Sequence, residues 1–122
     1  MLESKYFKAD DFKCKCGCGL DIKDKVKEMI FEAREIAQVP FIITSGARCL
    51  EHNYAVKSRP TSSHIKGLAV DIVATDAVTR GIINRALTKV GFLRFGHNFK
   101  KGFIHVDFDM DKPKPAIFGY GE

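Results

Sequence analysis

Two stretches of this chain, Leu68-Ala69-Val70-Asp71-Ile72-Val73 and Phe103-Ile104-His105-Val106-Asp107, are apolar runs that read as strands yet carry Asp71, His105 and Asp107 inside them. Successive side chains of a strand point to opposite faces, so position alone decides which residues share a face. In the first, Ala69 and Asp71 share one face while Leu68, Val70 and Ile72 share the other. In the second, His105 and Asp107 oppose Ile104 and Val106. An aspartate between Val70 and Ile72 is expected to be largely desolvated. A buried carboxylate needs hydrogen bonds or a positive partner.

The remaining chain supplies helices to cover such a sheet. Between Asp21 and Gln38, apolar residues at Ile22, Val26, Met29, Ile30, Ala33, Ile36 and Ala37 mark one face of a helix. Pro40 cannot continue it. Phe41 to Thr44 is a short apolar, β-branched run and reads as a buried strand, broken by Ser45-Gly46. A second, shorter helix is expected over about Leu50 to Lys57, and Arg59 to Ser63 is loop chemistry. Thr75 or Asp76 can cap a third helix, with Val78, Ile82, Ile83, Ala86, Leu87 and Val90 on its apolar side and Gly91 stopping it. Phe92 to Phe95 reads as a further strand, and a loop containing His97, Asn98 and Gly102 leads to Phe103 to Phe108. Pro113 and Pro115 predict an irregular tail. Helices and strands mixed without a regular alternation indicate an α+β fold, a small antiparallel sheet with helices packed on it.

At 122 residues the chain fits one domain, 1–122, with a cysteine-containing segment at 1–20 and an irregular tail at 109–122. No apolar run approaches the roughly 20 residues that span a bilayer. The opening Met-Leu-Glu-Ser-Lys-Tyr lacks the charged-then-apolar pattern of a secretory signal, so cytoplasmic synthesis is expected. The net charge of +5 comes from Lys and Arg interspersed with Asp and Glu, without a long basic run. Nucleic-acid binding is therefore not expected, and a modest positive excess suits approach to an anionic polymer such as a bacterial wall.

These two strands carry the chemistry. If they pair antiparallel, Asp71 and His105 meet across the ladder, and His64 can fold over from the loop before them, with Gly67 allowing a tight turn. Two imidazoles and one carboxylate leave a fourth tetrahedral position open, the arrangement of a catalytic zinc site rather than a closed structural one. Water at the open position would have its pKa lowered towards about 7. Singly, His64 and His105 are ordinary histidines beside strands; the combination with Asp71 makes the metal reading.

Ser63-x-His64-x-x-Gly67-x-Ala69-x-Asp71, followed by Phe103-Ile104-His105-Val106-Asp107, resembles the zinc D-alanyl-D-alanine carboxypeptidase family. That family is related in fold to the vancomycin-resistance D,D-dipeptidases, phage L-alanyl-D-glutamate endopeptidases and the hedgehog signalling domain. Thr44-Ser45-Gly46-Ala47-Arg48-Cys49 is similar to its Ser-Gly-Tyr-Arg motif, with Ala47 in place of tyrosine, and Glu51-His52-Asn53 fits the family's next segment. The resemblance implies that His64, Asp71 and His105 bind Zn2+. It also implies that Arg48 reaches the site to bind a substrate carboxylate or the oxyanion. Several relatives carry an acid three residues before the last histidine ligand; here that residue is Gly102. Asp107 is the preferred general base, with a role in orienting a ligand as its alternative, and His97 is the other candidate. Ser63 is open to a bond near the metal or a turn role. His52 reads as structural or exposed.

Cys14-Lys15-Cys16-Gly17-Cys18 and Cys49 admit three readings: a disulfide to Cys49 after release into an oxidising compartment, a second zinc on four thiolates, or reduced thiols. What the resemblance implies is a zinc metallopeptidase, a D,D-carboxypeptidase or endopeptidase, acting on peptidoglycan peptides, such as a phage or prophage lysis enzyme released by a partner protein; a monomer is expected, although the sequence does not give the oligomeric state. The alternative is a wall-binding module that keeps zinc without turnover. Which bond is cut is not written in the sequence.

Overall fold

The computed structural model describes residues 4–120. The extreme ends of the cysteine-containing segment and of the tail, and the first three residues of the stretch read for a secretory signal, lie outside the described residues. Three helices, α1 (Asp24–Ala37), α2 (Leu50–Ala55) and α3 (Ala77–Lys89), accompany five strands. These are β1 (Ile43–Ser45), β2 (Ala69–Val73), β3 (Arg94–Asn98), β4 (Phe103–Asp107) and β5 (Ala116–Gly119). They form one sheet in the order β1-β2-β4-β3-β5. The fold is α+β. Every pairing is antiparallel except β3 with β5, so the sheet is mixed rather than purely antiparallel.

Local chemistry explains the element ends. The side chain of Asp76 accepts from the backbone N–H of Thr79 at 2.8 Å and so caps α3. Helix α1 ends at Gln38, whose left-handed backbone (φ 55°) returns its N–H to the carbonyl of Arg34, two residues ahead of the expected barrier at Pro40. The tail departs from expectation. Pro113 and Pro115 forbid ladder donation only at their own positions, and directly beyond them Ala116–Gly119 adds to the edge of the sheet.

Helices α1 and α3 pack together over one face of the sheet. Val26, Ile30, Ile83, Leu87 and Phe92 meet Val70, Ile72, Ile104 and Val106 in a core from which water is excluded. The register makes the other face the interesting one. Ser45, Asp71, His105, Gly96 and Phe118 are successive partners across all five strands. One transverse row thus carries the chemistry, with the core directly behind it.

Candidate metal centre

Asp71 and His105 are direct partners in the β2–β4 ladder, which brings His105 Nδ1 to 3.1 Å from Asp71 Oδ1. His64 comes from the loop before β2. Its backbone carbonyl accepts from Arg48 N–H at 3.0 Å, and its Nε2 lies 3.2 Å from the same Asp71 oxygen. A further bond braces this loop: Ser63 Oγ donates to Asp109 Oδ2 at 2.8 Å, a buried contact beyond the end of β4. Of the two roles open to Ser63, this contact is one that holds the loop.

The far nitrogen of each ring decides what the near one offers. His64 Nδ1 is 2.7 Å from the carbonyl of Gly46, which can only accept, so Nδ1 carries the hydrogen and Nε2 presents a lone pair. His105 Nε2 is 2.8 Å from Asp107 Oδ2, so its hydrogen points there and Nδ1 presents a lone pair. Two lone pairs therefore converge on a carboxylate oxygen, and His64 and His105 are buried. Three electron-rich atoms so placed require positive charge among them. The protons show the same demand. Burial works against charge on His105, yet the carboxylates of Asp107 and Asp71 raise its pKa. Burial would raise Asp71, but positive charge on the adjacent imidazoles of His105 and His64 holds its carboxyl far below the usual range when no ion supplies it. A divalent cation meets that demand, and the donor set of two nitrogens and one oxygen suits zinc.

Three neighbours shape the surroundings. Arg48 follows β1 and is half-buried; its Nη2 is 3.5 Å from Ser62 Oγ, while its buried Nε has no acceptor among the described residues. Burial lowers its pKa, and the charge of Asp71 counters that. Asp107 is fully buried, accepts from His105 and from Arg94 Nε at 2.9 Å, and lies on the side of the His105 ring away from Asp71. The rings of Phe118 and Tyr120, 5.7 and 6.5 Å from that of His105, close one flank. They do so across Gly96, where a Cβ atom would collide with both. Burial and the charge of Asp71 push the Tyr120 phenol above its usual range.

His97 is placed elsewhere. It lies in β3 rather than in a loop, and it pairs with Ile104, which puts it on the helix-covered face opposite the centre. There Arg80 Nη1 donates to its Nδ1 at 3.1 Å and its Nε2 reaches Asn84 Oδ1 at 3.1 Å. Both nitrogens are engaged, and burial followed by the Arg80 charge lowers its pKa. Gly102 turns between β3 and β4 with φ +74° and contributes no acid. His52, in α2, is half-buried.

Set against protein-family models, the chain matches Peptidase M15 over residues 5–107, which includes all three donors, Arg48 and Asp107. The chain belongs to the peptidase M15 family. This is the zinc D-alanyl-D-alanine carboxypeptidase family that the motifs resemble, and its members are zinc-dependent. A comparison with curated proteins gives no match. As an M15 chain, it has an α+β domain with the expected triad of donors gathered on one sheet face. Tyr120, Phe118 and Arg94 escape the motif reading. Tyr120 and Phe118 come after the prolines that mark the tail as irregular, and Arg94 shows its use only through the ladder partner Asp107.

Proposed function

We propose that this chain is a zinc metallopeptidase that hydrolyses a peptide bond in bacterial peptidoglycan, within stem peptides or cross-links. The observation that carries the reading is the convergence of His64 Nε2, Asp71 Oδ1 and His105 Nδ1, each histidine already set in the ligating tautomer by a bond on its far side. Those three residues would hold the ion. When bound, zinc supplies a Lewis acid and a source of nucleophile near neutral pH.

The chain's own groups do the rest. Arg48, with a guanidinium nitrogen free to donate, binds the substrate's carboxylate or the charge that develops on the scissile carbonyl oxygen. Phe118 and Tyr120 keep water from one flank of the His105 ring. Asp107 retains the His105 Nε2 hydrogen and is itself held by Arg94, so it acts as a positioning residue rather than the general base. The net charge of +5 favours approach to an anionic wall.

A second reading is a wall-binding zinc module without turnover, and one observation favours it. Gly102 stands where several relatives carry an acid, and Asp107 is already bonded to His105 and Arg94. Mass analysis of fragments from defined wall peptides separates the two. Chelator-sensitive release of a fragment, abolished in His64→Ala, supports the peptidase and identifies the bond. Retained zinc and wall binding with no fragment from any peptide supports the module.

A further inference from the structure

Away from the histidine centre, Cys14, Cys16, Cys18 and Cys49 bring four sulfur atoms within 4.8 Å of one another. Full extension would not suffice, since alternate residues of an extended strand lie nearly 7 Å apart. The backbone achieves it by curling. Gly17 and Gly19 both adopt left-handed conformations, with φ of +85° and +88°. Gly17 N–H closes a turn on the Cys14 carbonyl at 3.2 Å, and Cys14 N–H closes the whole loop on the Leu20 carbonyl at 2.8 Å. Cys49, 35 residues from Cys14, completes the group from the start of α2.

The spacings fit one chemical arrangement. Cys14 Sγ lies 3.4 Å from Cys16 Sγ and 3.8 Å from Cys49 Sγ, and Cys16 and Cys49 are 3.6 Å apart. A tetrahedron with metal–sulfur bonds of about 2.3 Å has edges of about 3.8 Å. A disulfide would instead draw a pair of sulfurs together to about 2.0 Å. Here all four cysteines are free, and the near-equal separations among Cys14, Cys16 and Cys49 single out no pair of these three. Backbone amides already point at two of the sulfurs: Cys49 N–H at Cys14 Sγ (3.4 Å) and His52 N–H at Cys49 Sγ (3.3 Å). Such donors stabilise sulfur that carries negative charge, as metal-bound thiolates do.

We propose that Cys14, Cys16, Cys18 and Cys49 form a second metal site, a closed tetrathiolate centre for zinc with a structural role. Four protein ligands leave no open position, so the site is built to hold and not to react. Its place in the fold gives that holding a purpose. Cys49 directly follows Arg48, and the same segment supplies the Gly46 carbonyl that sets the His64 tautomer. Ala47 N–H is bonded to the Phe12 carbonyl at 2.9 Å, so the cysteine loop and this segment already adjoin. The ion fastens the Gly46–Arg48 strip from its far end. This inference stands apart from the peptidase reading, because it uses none of the histidine centre's ligands.

The test is metal content and cobalt spectroscopy on the full chain, purified under reducing conditions without chelator. A chain with its histidine centre removed (His64→Ala with His105→Ala) should still retain one equivalent of zinc, and Cys16→Ser with Cys18→Ser should lose one. Because either variant can fail to fold, the unsubstituted chain loaded with Co2+ provides the second measurement. Only sulfur ligands give an intense near-ultraviolet sulfur-to-cobalt band, and the thiols of the zinc-loaded chain should react with a disulfide reagent only after chelation. Absence of that band, immediate reaction of all four thiols in zinc-saturated protein, or iron in place of zinc on the cysteines overturns the assignment.

Discussion

At the scale of single residues, the centre depends on groups that would never meet the ion. Gly46 and Asp107 fix which nitrogen of each histidine is available, and Arg94 fixes Asp107 in turn. If Asp107 positions His105, Asp107→Ala should weaken zinc binding by about 10–100-fold, measured by competition with a chromogenic chelator. A general base would behave otherwise: turnover would vanish while affinity stayed unchanged. On the proposed reading, in which Arg48 donates to substrate and not to the ligands, Arg48→Ala should lower kcat/KM by on the order of a hundredfold while zinc affinity holds. Asp109 gives a pH-dependent case. Burial would raise its carboxyl, but the bonds from Ser63 and Lys66 outweigh this and hold it below its ordinary value. A depressed carboxylate contributes stability above its unfolded pKa and loses it as pH falls through the folded one. Asp109→Asn should therefore cost about 1–2 kcal/mol near neutrality, and the gap should close in acid, as followed by urea unfolding at a series of pH values. Lys66 is partly exposed and adds little to that figure.

At the scale of elements, period-two alternation made the heart of the site legible. Asp71 and His105 are on the same face in the register that their parity predicts, because a one-residue slip would turn Val70 and Ile104 to solvent. Parity placed His97 less well, since β3 runs on to Asn98 instead of stopping near Phe95, and a residue read as loop became a residue on the far face. Helix α3 then holds it there through Arg80 and Asn84. Strand β5 was hidden by its prolines, and with it the aromatic flank; nothing local to Ala116–Gly119 says that β3 will accept it in parallel. Gly96 is the element-level test of that arrangement. Gly96→Ala should cost about 1–3 kcal/mol by forcing Phe118 and Tyr120 off the sheet, measured by chemical denaturation; an unchanged midpoint would show that the rings do not rest there.

For the molecule as a whole, the core and the centre are two sides of one sheet. Ions bound to the folded form alone stabilise it, by about 4 kcal/mol at a thousandfold excess over Kd. Chelation should accordingly lower the calorimetric Tm and added zinc restore it, whereas a Tm indifferent to zinc would count against the centre. The transverse row from Ser45 to Phe118 also has a consequence in time. Asp71 and His105 are 34 positions apart in the chain, with α3 and β3 between them, although they are neighbours in the sheet. A chain emerging from the ribosome offers His64 and Asp71 well before it offers His105. The pocket that gathers all three closes only when β4 docks beside β2, so on the proposed reading its ion would be acquired late.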